Sequence, residues 1–343
     1  MDELHAVANA TSANGVYQYG GGGFPTASFN ATNYWVDVVF TTSAPQPTSG
    51  LLDTAVADFM RGTVGTGAYI SHMTDGEVTL ASVVGEELDG TTMPSGWSAV
   101  SWGGAATVSV GGGALNIGGA RAATDGFYGP GRAIEFSATF SGAPYEHLGL
   151  GVTFNEPLWA IFSSGSGDAL YARTNNGVGA VDTPIPGAWF GAPHRFRIEW
   201  TATSVTYAVD GVVVAAHTVA IADSMRPIAS DFAGDGRTLA VQWLHLSPFA
   251  TSGTFTSAVF DAASVVTWTG AAWSGTMPVG ASVVLKVRFG DAPAPDATWT
   301  PFVPAVNGTI SGAGRYAQYQ LELSTTDPTQ APVVTDVTLT FTR

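Results

Sequence analysis

The sequence predicts an all-β protein: a jelly-roll sandwich and a second β-sandwich, preceded by a short N-terminal β fragment. Three observations carry this. The 343 residues include 43 Gly and 19 Pro with only 11% charged side chains, a composition that suits short strands joined by many turns. Amphipathic stretches rich in Leu, Glu and Lys are nearly missing. Short runs of period-two alternation follow one another from residue 84 to 249 at sandwich spacing.

Residues 1–42 read as two strands, Gly15–Tyr19 and Tyr34–Phe40, around the glycine run GVYQYGGGGFP. So aromatic a strand as NYWVDVVF, with so little chain before it, is expected to close a domain begun further upstream. Its apolar face is expected to dock on a neighbouring sandwich. Residues 43–50, SAPQPTSG, have the proline and small polar content of a linker. Leu51–Arg61 is the best helix candidate, and equally an irregular lead into a strand. In MTDGEVTLA a turn at Asp75-Gly76 precedes a strand over 75–81. That strand has no evident hairpin partner nearby, and GTFTSAVFDA (253–262) is a plausible mate. Residues 51–83 are therefore expected to supply the first strand of the C-terminal sandwich, with residues 84–249 inserted.

Within 84–249, HRFRIEW alternates Phe196, Ile198 and Trp200 toward a core against Arg195, Arg197 and Glu199. HLGLGVTF sets Leu148, Leu150, Val152 and Phe154 against a face of little bulk, His147, Gly149, Gly151 and Thr153. Val209-Asp210-Gly211 is a hairpin signal. About ten such strands make a jelly roll. From residue 250 to 343 a second series, including SVVLKVRFGD, RYAQYQLEL and PVVTDVTLTF, makes the second sandwich.

The formal charge is −15, and Lys286 is the only lysine. Nucleic acid and anionic membranes both demand clustered cations, so neither is an expected partner. There is no cysteine, which removes disulfides, thiolate nucleophiles and Cys-based zinc sites. MDELHAVANA has no signal-peptide pattern. No run approaches the roughly 18 apolar residues of a membrane helix, so a soluble chain is expected.

Several stretches resemble modules of large exported bacterial proteins. NGVYQYGGGGFPTASFNATNYWVDVVF is similar to the closing strands of an uncharacterised domain family with an Asn-Tyr-Trp-Val-Asp-Val signature. Residues 84–249, introduced by EELDGTTMPSGW, resemble concanavalin A-like, laminin-G-like jelly rolls. GTFTSAVFDA and Thr326-Asp327-Pro328-Thr329-Gln330 resemble accessory sandwiches beside enzymes and adhesive modules. The resemblance implies an extracellular or cell-surface location. It leaves activity open, since this fold hosts lectins, glycanases, lyases and spacers.

The candidate chemistry is tested residue by residue. Jelly-roll glycanases carry paired carboxylates in a Glu-x-Asp-x-x-Glu pattern, whereas these strands show a lone Glu135 and a lone Glu199. Ser163–Asp168 has serines between glycines but no following helix, and reads as a hairpin. A uronate lyase wants Tyr, His, Arg and an amide on one face. His147, Tyr171, Arg173 and Asn175 fit that requirement if their strands share a sheet; otherwise they are an ordinary solvent face. The six histidines show no metal spacing. A structural calcium, which jelly rolls often carry, would be held by Asp125, Asp231 and Asp235 at one rim, unless these are Asx turns. Sugar binding needs exposed aromatics beside hydrogen-bonding groups. Trp159, Tyr171 and Trp189, with Asn155, Glu156, Arg173, Asn175 and Asn176 nearby, are the candidates, while Trp200 and Trp243 belong to the core. The leading expectation is a non-catalytic carbohydrate- or surface-binding module whose partner is a polysaccharide or cell-surface glycan. A glycoside hydrolase or lyase, and a structural spacer, are the alternatives.

Overall fold

The computed structural model describes residues 50–343, together with the antiparallel pair Val16–Tyr17 and Ala27–Ser28. The first of these lies inside the expected Gly15–Tyr19 strand. The Tyr34–Phe40 strand, its docking face and linker residues 43–49 lie outside the described residues.

Alternation dictates the jelly roll. Phe196, Ile198 and Trp200 are all fully buried, because every second residue of His194–Trp200 faces the opposite sheet. Phe162 from that sheet meets Phe196 at 4.8 Å between ring centroids, and Phe136 meets it at 5.5 Å. Two sheets enclose this core. One has seven strands in the order Ala180–Ile185, Leu170–Asn175, Trp159–Ser163, Glu146–Gly151, Arg226–Asp231, Ala120–Thr124 and Trp97–Ser101. The facing sheet has eight, running from Val212–His217 through Val205–Val209, His194–Trp200, Arg132–Thr139, Leu239–Phe249 and Ala114–Gly118 to Thr107–Gly111. Its eighth strand, Ser82–Glu86, also pairs with Leu239–Phe249.

The alternation of HLGLGVTF holds only through Leu150. After Gly151 the chain turns, and Phe154 adopts φ 67°, so Val152 and Phe154 leave the expected core set. The ring of Phe154 folds back over Gly151, where a Cβ would stand 2.7 Å from its Cε1 atom. The low-bulk face read in the sequence is thus a seat for an aromatic ring.

The second sandwich is one continuous ten-stranded sheet that closes around its own core of Phe59, Val78, Phe255, Trp268, Tyr319 and their neighbours. Its long strands, Phe260–Thr276 and Thr309–Thr325, pair with each other and carry register shifts. Such bulges bend a sheet. Four strands come from before the jelly roll. Gly50–Asp53 and Glu77–Leu80 pair with Val333–Thr342, Thr63–Val64 pairs with Ser252–Thr256, and Ala68–Ser71 completes a hairpin with Glu77–Leu80. Residues 51–83 are therefore several strands and not one. The expectation that this strand lacks a nearby partner is corrected: Glu77–Leu80 pairs with Ala68–Ser71 on one side and Val333–Thr342 on the other, while GTFTSAVFDA takes Thr63–Val64. The crossing into the jelly roll falls at Ala81/Ser82. The helix candidate resolves into the Gly50–Asp53 strand and a one-turn helix, Val56–Phe59. Asp58 Oδ2 accepts from the Thr54 and Ala55 backbone N–H groups at 3.2 Å each, filling donors that a helix start leaves open.

The two sandwiches are joined by more than the chain crossings. Phe249 N–H donates to Pro328 O at 2.8 Å, and Arg197 reaches Thr329 O at 3.2 Å. Asp327 shapes that turn by accepting from the Thr329 backbone N–H and hydroxyl and from the Gln330 amide. Behind it, His245 Nε2 and Glu87 Oε1 lie 2.8 Å apart, both well buried.

Candidate functional site

The outward face of the seven-stranded sheet carries a polar row fixed by register. His147 stands opposite Ser163 on one side and Ser230 on the other; Ser163 faces Tyr171, and Ser230 faces Arg121. At the Ser230 end, aromatic rings rise from the connections around this row. Trp102, just past the Trp97–Ser101 strand, donates its indole N–H to Ser230 Oγ at 2.8 Å. Its ring lies 5.9 Å from that of Phe232, which in turn meets Tyr145 at 6.2 Å. Across from this strip, Phe154 packs edge-on to His147 at 5.5 Å. Together with Asn155 these side chains line a hollow of about 270 Å³.

Backbone strain accompanies the rings. Tyr145 and Phe154 sit at φ 62° and 67°, a region that bulky residues rarely occupy and that tends to mark functional positions. Phe232 and Tyr145 remain 57% and 47% exposed. Two large aromatic side chains thus stand side by side in contact with solvent, a kind of surface that marks interaction sites.

The hollow itself is uncharged. Burial, with the nearby Arg173 charge, pushes the His147 imidazole down to about 4, so the ring is neutral at neutral pH. Glu146 and Asp231 pair in register directly behind the walls, and burial raises both carboxyls. Glu146 accepts from the Ser141 N–H and hydroxyl and from the Gly142 N–H. Asp231 Oδ1 accepts from Ala233 N–H at 2.8 Å, while its buried Oδ2 has no protein partner.

Of the residues the sequence singled out, His147 and Asn155 are in the hollow. Tyr171 shares the row but lies two strands from His147, about 10 Å away, with its hydroxyl 3.3 Å from Asp168. Arg173 is clamped by Asp182 through two bonds of 3.0 and 2.9 Å. The lyase set therefore shares a face without converging. Asn175 caps the turn at Gly177. Trp159 is half-buried opposite Asn175, and its indole N–H is buried without a partner. Trp189 plugs a loop, donating to Pro186 O and packing on His194. Neither tryptophan lines the hollow.

The calcium rim is corrected. The register puts Asp231 opposite Ala120, so Asp125, five residues on, sits at the other end of the strands, about 17 Å away. Exposed Asp235 is engaged by Arg237. Among the described residues there is no cluster of three or more metal-ligating side chains. Glu135 belongs to the other sheet, where Arg195 bonds it and Arg197 approaches at 3.8 Å.

Trp102, Tyr145, Phe154 and Phe232 were not singled out as ligand contacts. The available signal was their setting: SGAPYEH and SDFAGDG place an aromatic among turn-forming residues, where burial in a strand is not available to it.

No family model matches the chain. No curated protein matches it. Among solved structures, β-agarase A from Zobellia galactanivorans overlays on 48% of this chain and 89% of its own, at 14% identity and TM-score 0.37. A glycosyl hydrolase family protein from Mycobacterium fortuitum covers 49% and 100%, at 16% identity and TM-score 0.38. Rv0315 of Mycobacterium tuberculosis, described as an immunostimulatory antigen and pseudo β-1,3-glucanase, covers 48% and 98%, at 13% identity and TM-score 0.36. Likenesses this distant carry no functional inference.

Proposed function

We propose that this chain is a carbohydrate-binding, non-catalytic module of an exported protein, and that the hollow beside His147 is its sugar site. The observation that carries the reading is the half-exposed aromatic strip Trp102–Phe232–Tyr145 facing Phe154 across the polar floor of Ser230 and His147. A sugar ring has apolar faces and a hydroxylated rim. Aromatic walls meet the faces, and the few polar groups orient the rim. Hydrolysis by a glycosidase needs two carboxylates flanking the scissile bond, whereas the residues lining this hollow carry none, and Glu146 is turned behind the wall. The resemblance of residues 84–249 and 250–343 to jelly-roll and accessory modules of exported bacterial proteins supports a place in an exported protein.

A glycan array run beside reducing-sugar and unsaturated-uronate assays tests this. Binding without turnover is expected. Turnover that disappears in His147→Ala would replace the reading with an enzymatic one, and silence in every assay would leave the spacer.

A further inference from the structure

The cations of this chain are few, and most are paired with carboxylates. Arg173, Arg195, Arg237, Arg315 and Lys286 each lie within ion-pair distance of an Asp or Glu. Two beside the hollow do not. Arg121 stands in register opposite Ser230 on the floor, and its guanidinium lies 5.2 Å from the centre of the Trp102 ring that forms one wall. Its Nη1 donates to Thr153 O. Arg226 donates through Nε and Nη1 to Val152 O and Thr124 O at 2.9 and 2.8 Å. Among the described residues neither has a carboxylate within ion-pair distance. A carbonyl oxygen orients a guanidinium but leaves its charge in place. Burial, and then the Arg121 charge, lower the Arg226 guanidinium from its ordinary value, so the two cations are close enough to repel each other. Both are tied to the turn at Val152 and Thr153 that leads into Phe154 and Asn155, and so are held in position.

No negative charge lines the hollow. Glu146 and Asp231 adjoin His147 and Ser230 in the chain, so strand alternation turns them to the other face of the sheet. Asp125 and Glu156 offset the Arg226 charge in part from a distance, which leaves Arg121 as the principal cation. The aromatic rings meet tilted at 56° and edge-on at 82°, and so form an apolar wall about a single sugar unit. Resting on the binding reading above, we propose that this unit carries an anionic substituent, a carboxylate or a sulfate ester, turned toward Arg121. The wall covers the apolar part of the sugar, and the Ser230 hydroxyl and Asn155 amide meet its hydroxyl groups. Guanidinium N–H groups that Thr153 does not occupy give charge-assisted hydrogen bonds to the anion. The overall charge of −15 does not oppose this, because exposed charges are screened beyond about 8 Å at physiological salt.

Calorimetric titration of the whole chain with hexagalacturonate and its methyl ester, and with a sulfated carrageenan hexamer and its desulfated form, at low and high sodium chloride, tests the proposal. At least one acidic hexamer is expected to bind roughly tenfold or more tighter than its neutral counterpart at low salt. That advantage should shrink at high salt, and binding should be lost in Phe232→Ala. The two arms separate carboxylate from sulfate. In Arg121→Gln the acidic-to-neutral affinity ratio should fall to near unity, whereas a merely structural role for Arg121 would weaken both hexamers alike. A ratio unchanged in a folded Arg121→Gln would overturn the proposal. If that variant does not fold, the matched pairs and their salt dependence in the parent chain decide. Neutral hexamers that bind as tightly as the acidic ones, and are lost in Phe232→Ala, would overturn the ligand class while keeping the hollow as the site. Failure of all four hexamers to bind would overturn the proposal, and the glycan array, read separately, shows whether the binding reading falls with it.

Discussion

Trp102, just past the Trp97–Ser101 strand, and Ser230, within Arg226–Asp231, are 128 residues apart in sequence, yet the indole N–H meets the serine hydroxyl oxygen at 2.8 Å. This bond, with Arg121 stacked on the ring, fixes the wall of the hollow in place before any ligand arrives. Preorganisation of this kind lowers the entropic cost of binding.

Replacing Ser230 by alanine removes the acceptor but leaves the buried core untouched. The expected outcome is a loss of about 1 kcal/mol in stability with a larger, several-fold loss of sugar affinity, read by thermal melting and titration side by side. Equal small effects on both would show that the indole is held adequately without the bond.

Gly151 tests the aromatic seat. A methyl group there would lie 2.7 Å from the Phe154 ring, so Gly151→Ala should displace Phe154 and weaken binding about tenfold while the protein stays folded. A crystal structure of the variant checks the ring position. An unmoved Phe154 would contradict the packing described.

Two groups, half-buried His147 and fully buried Asp53, give opposite pH dependences. The folded His147 imidazole is depressed to about 4 from 6.5, so the unfolded chain takes up the proton first. Its stabilising contribution is present above pH 6.5 and is lost as pH falls toward 4, by about 3 kcal/mol at most. In His147→Gln the deficit relative to the parent should shrink over that window in chemical denaturation.

Asp53 behaves in reverse. It is 1% exposed, accepts from Tyr319 Oη at 2.8 Å, and burial raises its carboxyl to about 6 from 3.8. The folded state holds the proton longer, so stability falls as pH rises from about 4 to 6. Asp53→Asn should therefore gain on the parent by up to about 3 kcal/mol above pH 6 and show no such gain near pH 4. A gain independent of pH would point to packing instead of ionisation.

The shared sheet makes a prediction about fragments. Residues 82–249 carry both sheets of the jelly roll and should fold alone, giving a cooperative melt. Residues 250–343 alone lack Gly50–Asp53 and Glu77–Leu80, leaving one edge of Val333–Thr342 without its partners and Val334 and Leu339 uncovered. That fragment should show no cooperative transition unless residues 50–81 are added. A well-folded 250–343 fragment would refute the composite sheet.

The fold was legible because its signal is local. Period-two runs such as HRFRIEW state which face is buried, and Val209-Asp210-Gly211 states where the chain reverses. What the sequence hid depends on distant pairing. The partner of Glu77–Leu80 on one side, Ala68–Ser71, is local, but nothing near it shows that its other neighbour is Val333–Thr342, more than 250 residues away, with the jelly roll between them. The site was obscured for a related reason. Phe154 continues an alternating pattern and so reads as core, until the chain turns after Gly151 and carries the ring to the outer face. Trp159 and Trp189 drew attention as loop-flanking tryptophans, but one is half-buried on the sheet and the other plugs a loop. Among the sugar-binding candidates only Asn155 reaches the hollow, because side-chain type was visible and strand register was not.

The most direct measurement compares two aromatic variants by titration against the same glycan, one that the array shows to bind the parent chain. Phe232→Ala removes an exposed ring of the strip, and Trp189→Ala removes a loop ring away from the hollow. The account predicts at least about a tenfold loss of affinity for Phe232→Ala and unchanged affinity for Trp189→Ala. Retained affinity in Phe232→Ala, with loss in Trp189→Ala, would contradict it.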